Sequence, residues 1–283
     1  MKSVRIRKRA AAAALNLLIG LLALLWLVPV FWLVLSSFRA EQGAYTSYLW
    51  PKGFTFRNYV RLFTDRRLFD FPRWFGNTML VAGCSCVITT VLTLMVAYVY
   101  SRLRFPSRRF LMNASLVLGM FPGFMSIIAI YHFMKAVSLD QTLLALILVY
   151  SGGAALNYYI AKGYFDTIPK SLDEAAILDG ASNHTIFWRI ILPNSKPVIA
   201  TTAINAFINP IVDFIFVSVI MKDNYSNFTV AKGLYTMVDK TNIYEYYTVF
   251  CAGAVLVAIP VVLLFIRMQT YYVAGVVGGS VKG

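Results

Sequence analysis

Residues 171–193 read SLDEAAILDGASNHTIFWRIILP, and the class of this protein turns on them. Ser171 and Glu174 stand in the S-x-x-E spacing of a capping box, in which the serine oxygen accepts from the glutamate N–H and the glutamate reaches back. Alanines and apolar residues lead to Asp179-Gly180, where glycine suits the left-handed turn that ends a helix. A second helical run is expected over 183–192, stopping at Pro193. Both pieces are short, and isolated helices below about 12–15 residues are marginal in water. Ile177, Leu178, Phe187, Ile190 and Ile191 are therefore expected to need a partner to bury against, inside an acidic rim.

The surrounding chain says what kind of protein carries this island. Its 283 residues are 59% hydrophobic and 13% charged, with a mean hydropathy of +0.68. Soluble domains hold about 25% charged residues, so the composition is that of a membrane protein. The formal net charge of +14 would point to nucleic acid in a soluble chain. Here the basic residues sit between apolar runs, as topology and anionic lipid require, and no nucleic-acid partner is expected. Cys84, Cys86 and Cys251 lie inside apolar runs without metal-ligand spacing and read as buried thiols.

The apolar runs predict an all-α polytopic fold, one transmembrane domain over 1–283. Spans are expected at about 10–38, 77–101, 110–136, 142–165, 197–221 and 246–271. The first follows a basic start, but it exceeds the roughly 7–15 apolar residues of a signal peptide. Pro29 is expected to kink it, and Pro122-Gly123, Gly152-Gly153 and Pro210 fall inside later spans. A short amphipathic helix is expected over 56–69, a mixed loop over 222–245 and a glycine-rich tail over 275–283. Six spans put both termini on one side. The Lys/Arg excess of the short acid-free segments makes that side cytoplasmic, although the arginines of 39–75 run against the rule. Residues 171–193 then face the cytoplasm.

No phosphate-binding loop, metalloprotease helix, C-x-x-C or G-x-S-x-G pattern is present, and His132 and His184 are far apart. Asp213 is the one acid inside an expected span, too little for catalysis on this chain. It follows Asn205 and Asn209 at i+4 steps, which places all three on one helical face. Pro210 frees a backbone carbonyl there, a feature tolerated beside a cavity. The stripe is either a polar wall along a solute pathway or hydrogen-bonding glue to a partner helix. Asn157, beside Tyr158 and Tyr159, gives a weaker hint of the same kind.

Glu174-Ala175-Ala176, Asp179-Gly180-Ala181, and then Phe187, Ile190, Leu192 and Pro193 resemble the EAA motif of ABC importer permeases, matched without departure. The motif's place between the fourth and fifth spans, and the tail 273–283, are similar to the smaller permease of maltose and related oligosaccharide importers. Residues 42–59 are similar to its maltodextrin and galacto-oligosaccharide members. The resemblance implies that 171–193 forms two coupling helices docked in a cleft of a separate homodimeric ATPase, which holds ATP and Mg. No cofactor is then expected on this chain. It also implies a second homologous permease, an extracellular solute-binding protein and alternating access for oligosaccharides, malto-oligosaccharides foremost. In the family's maltose system the sugar is held largely by the other permease, and the resemblance implies that the tail reaches the ATPase interface, a frayed terminus being the other reading. The motif alone leaves open an amino acid, phosphate or peptide as solute. An ATP-independent channel or carrier would leave 174–193 unexplained.

Overall fold

The computed structural model describes residues 2–66, 69–120, 123–153 and 155–280, with side chains described from 11 to 271 except at 124. Among these residues the regular structure is helical, apart from one isolated antiparallel bridge between Arg39 and Phe54. Three helices are long and apolar enough to cross a membrane unbroken: α1 (Lys2–Ser37), α3 (Phe71–Arg102) and α13 (Ile243–Ser280). The other membrane-length stretches are helix pairs, α4 (Arg108–Met120) with α5 (Gly123–Ala136), α6 (Leu143–Gly152) with α7 (Ala155–Asp166), and α10 (Lys196–Val212) with α11 (Ile215–Met221). Counting each bent pair as one span gives up to six. Three of the six expected spans, the ones that contain Pro122-Gly123, Gly152-Gly153 and Pro210, are bent pairs rather than single helices. Between α10 and α11 the ladder fails at Asp213, three residues beyond Pro210, which itself lies inside α10.

The chain gathers into two compact units, residues 1–69 with 236–256 and residues 70–235 with 257–283. In the first, Asn58 of α2 (Arg57–Thr64) is the joint. Its amide donates to the Ser37 and Arg39 carbonyls at 3.0 and 2.8 Å and accepts from the Thr248 hydroxyl at 3.0 Å. The amphipathic helix expected over 56–69 is shorter than predicted, because the chain leaves the helix at Asp65, whose N–H closes the last turn on the Arg61 carbonyl. Pro29 lies within α1 without ending it.

In the second unit α3 is the central post, packed against α6, α7 and α10. Its buried positions are largely small or hydroxylated (Thr78, Ala82, Ser85, Thr89, Thr93, Ala97), which lets neighbouring helices approach closely. The mixed loop expected over 222–245 contains a further helix, α12 (Val230–Met237), because Val230, Leu234 and Met237 bury an apolar face. The glycine-rich tail is likewise helical in backbone through Ser280, and its side chains and residues 281–283 lie outside the described residues.

Trp74 of α3 is fully buried beside α12, and a Cβ on Gly233 would stand 2.0 Å from its ring. Gly233→Ala must therefore displace a buried indole. We expect a lower unfolding temperature of the detergent-purified protein, by the roughly 1–3 kcal/mol typical of core overpacking. An unchanged melting curve would show that the α3–α12 packing is loose.

Candidate functional site

The island 171–193 folds as α8 (Ser171–Leu178) and α9 (Asn183–Ile186), followed by a π turn over Phe187–Ile191 and a 3-10 turn over Pro193–Ser195. The expected capping box does not form. Lys170, already helical at φ −66° and ψ −21°, takes the Glu174 N–H on its carbonyl at 3.0 Å, so Ser171 is one residue inside the helix. A side-chain cap appears at the second helix instead, where the Ser182 oxygen accepts from the Thr185 N–H at 3.3 Å.

Gly180 ends α8 at φ +82°. The Gly180 N–H bonds the Ile177 carbonyl and the Ala181 N–H bonds the Ala176 carbonyl, both at 2.9 Å. That pair of bonds is a Schellman stop, with its accompanying apolar contact between Ala176 and Ala181 in one core cluster. The second run does not stop at Pro193 as expected. Proline occupies the first position of the 3-10 turn, where it has no N–H to lose, and the chain turns directly into α10.

Burial corrects a further expectation. Ile186, Phe187 and Ile191 are buried within this chain, against Leu94, Ala97, Tyr98, Phe165 and Val198. Each fully buried isoleucine contributes roughly 1.5–3 kcal/mol. The island therefore needs no partner to hold its inner face. What remains uncovered is a separate outer face: Leu178 is 88% exposed and Ile177 57%, with Leu172, Trp188 and the carboxylates of Glu174 and Asp179 alongside.

Side chains from the end of α3 fasten the island. Tyr98 Oη donates to the Asn183 carbonyl at 3.2 Å. Arg102 pairs through Nε with Asp173 Oδ2 at 2.6 Å, and its Nη2 donates to the Ile168 carbonyl at 2.9 Å. Ser101 donates to Asp166, which also pairs with Lys162. Burial raises the Asp173 carboxyl above the ordinary range; the Arg102 charge opposes this, while Glu174 adds to it. A buried pair of this kind is weak evidence for stability but is costly to break from one side.

The polar stripe meets a cavity of about 330 Å³ in the same unit. Thr89 of α3, Tyr150 of α6, Gly153, Asn157 of α7, and Asn205 and Asn209 of α10 line it, with Ile208 and Val212. No charged side chain is among its lining residues. Asp213 is not on the helical face shared by Asn205 and Asn209, because α10 ends at Val212 and Asp213 is extended at φ −75° and ψ 110°. It stands in the break between α10 and α11, which bend by 58°. There Oδ1 accepts from the Phe216 N–H at 3.0 Å, capping α11, and Oδ2 accepts from Tyr150 Oη at 3.1 Å. Among the described residues no group of His, Cys, Asp and Glu could hold a metal ion.

Comparison with known proteins bears on this geometry. The family described as binding-protein-dependent transport system inner membrane component matches residues 89–277. The chain belongs to this family. It is a transport permease of the inner membrane, and both the island and the cavity fall inside the matched region. It is 34% identical, over the whole of both chains, to the galactooligosaccharides transport system permease protein of Bacillus subtilis. It is 31% identical to the maltodextrin transport system permease protein of Streptococcus pneumoniae, over 99% of each chain. A bacterial ABC transporter involved in the import of the acidic polysaccharide alginate shares the fold, with a TM-score of 0.78 and 24% identity, over 93% of this permease and 97% of that chain.

Tyr98 and Arg102 were not legible as island fasteners, since some 70 residues separate Arg102 from Asp173. Tyr150 and Thr89 were missed for a similar reason, each reading as an ordinary span residue. In the permease, Arg102→Ala leaves the Asp173 carboxylate buried without its cation, whereas Asp173→Asn removes the charge itself. We expect the arginine variant to be the more destabilised, by up to about 3 kcal/mol, in thermal unfolding of the purified protein. The opposite order would mean that the pair does not hold the island.

Proposed function

We propose that this permease is the smaller permease subunit of an ABC importer for neutral oligosaccharides, malto-oligosaccharides foremost. The observation that carries the solute class is the cavity lining. Three carboxamides (Asn157, Asn205, Asn209) offer neutral donors and acceptors, and the Thr89 and Tyr150 hydroxyls, whose protons go to the Tyr150 carbonyl and to Asp213, offer further acceptors beside apolar flanks. Sugar hydroxyls are matched by such groups, whereas phosphate or a free carboxylate calls for a cation or a nest of N–H groups. The acid nearby, Asp213, spends its oxygens on Tyr150 and Phe216 and acts as a positioning residue. The sugar-importing relatives support the same reading.

Coupling falls to the island. Its outer face presents apolar Ile177 and Leu178 beside the Glu174 and Asp179 carboxylates, with small Ala175 and Gly180 leaving room for close approach. That combination suits a cleft in a separate ATPase with basic residues at its edge. Ala176, Ala181, Phe187 and Ile190 face inward and fix the helices, while Leu192 and Pro193 carry the chain round into α10. In this reading two ATPase copies hold ATP and Mg, and this chain holds no cofactor. A second homologous permease completes the pathway and a solute-binding protein delivers the sugar outside. Both termini and the island lie in the cytoplasm.

Uptake by the assembled transporter, measured with labelled malto-oligosaccharide against competing sugars, amino acids and phosphate, tests the solute class. Competition by sugars alone is expected; competition by amino acids or phosphate would overturn it. Asn205→Leu with Asn209→Leu should lower uptake about tenfold, since each lost hydrogen bond is worth about 0.5–1.5 kcal/mol. Gly180→Trp places a bulky residue at φ +82° on the outer face. It should abolish uptake while the permease pair still assembles, and unchanged uptake would separate the island from coupling.

A further inference from the structure

The first unit carries a polar cavity unrelated to the solute cavity, on α2. It measures about 350 Å³ and is lined by Arg57, Val60, Arg61, Thr64, Asp65 and Arg66. Its level relative to the bilayer is set by what α2 is tied to. Ser37, the last residue of the membrane-length part of α1, bonds Tyr59 Oη at 2.7 Å through its hydroxyl. Its carbonyl accepts from Asn58. At the start of the α13 span, Arg61 donates to the Glu245 carbonyl at 3.3 Å and ion-pairs with the Glu245 side chain. Tyr246 Oη donates to Asp65 at 3.2 Å, and the Arg61 guanidinium lies over the Tyr246 ring at 4.4 Å. The helix is thus pinned where two spans leave the hydrocarbon.

At that level α2 turns Asn58 and Leu62 inward and leaves apolar residues outside. Phe56 is 73% exposed and Val60 59%, with Trp50 at 64% nearby in the chain. Exposed aromatic and aliphatic groups beside arginines are the pattern of a helix lying in the membrane interface. The charges are not all committed. Arg61 is held by Asp65 and Glu245. Arg57 and Arg66 are exposed and form no ion pair among the described residues. Guanidinium groups bind phosphate oxygens through paired N–H donors.

We propose that this cavity binds the headgroup phosphate of an anionic phospholipid, with Arg57 and Arg66 on the phosphate and Val60 and Phe56 against the acyl chains. The one acid in the lining, Asp65, is already engaged by Arg61 and Tyr246, so it does not cancel the two outer arginines.

The test uses the purified, assembled transporter in nanodiscs of phosphatidylcholine, with and without phosphatidylglycerol. Wild type should retain phosphatidylglycerol preferentially through purification and unfold at a higher temperature when it is present. Each arginine near a membrane surface is worth roughly fivefold in lipid affinity, so Arg57→Gln with Arg66→Gln should lower the enrichment roughly 25-fold. Helical circular dichroism and uptake in phosphatidylcholine alone report that this variant is folded. Should it fail to fold, the wild-type lipid preference decides by itself. No preference in wild type, or equal enrichment in the folded variant, would overturn the proposal. So would soluble glycerol phosphate stabilising wild type as well as phosphatidylglycerol does, since the site would then take a free anion rather than a lipid.

Discussion

A helix can break inside a bilayer only where the freed backbone groups find other partners. That constraint organises the second unit. Between α10 and α11 the ladder fails at Asp213, and the same side chain repairs it by accepting the Phe216 N–H that opens α11. Its other oxygen takes the Tyr150 hydroxyl, so the repair also ties α10 to α6. A lone carboxylate in hydrocarbon is expensive, and these bonds are what make it tolerable. The cavity lies beside this break because a bent helix cannot fill the space a straight one would. The neighbouring pair α6 and α7 is interrupted at Gly152-Gly153, and Gly153 is part of the cavity wall.

The island 171–193 obeys a different balance. Helices this short gain too little from their own hydrogen bonds to persist, so packing must supply the difference. Ile186, Phe187 and Ile191 supply it from within the chain. The bonds from Tyr98 and Arg102 then fix where the island sits against α3. An island held this way is fixed against α3 and α10. A push on its outer face reaches α3 through Arg102 and α10 through the turn at Pro193, and both helices contribute walls to the cavity. On the proposed reading, this is the route by which events on another chain reach the solute.

The membrane class, the helical fold and the family were legible in the sequence. Composition and apolar run length respond to the bilayer residue by residue, and Asp179-Gly180-Ala181 dictates a local turn that the structure contains in full. The carboxamides of the cavity were legible as well, because Asn205 and Asn209 share a face at the helical repeat. Residues near one another in sequence interact through fixed local geometry, which a pattern can express.

Only the tertiary structure decided the rest. Ser171 lost its capping role because the turn after Pro169 started the helix one residue early, with Lys170 already helical. Asp213 left the stripe because α10 ends at Val212, and its oxygens bond Tyr150 and Phe216 at the bend. Arg102 met Asp173, and Phe187 met Tyr98, across separations that no local pattern encodes. The sequence by itself determined which segments are long and apolar enough to cross a membrane, and the local turn at Asp179-Gly180-Ala181. Which polar side chains satisfy one another, and so where helices bend and cavities open, depended on long-range packing.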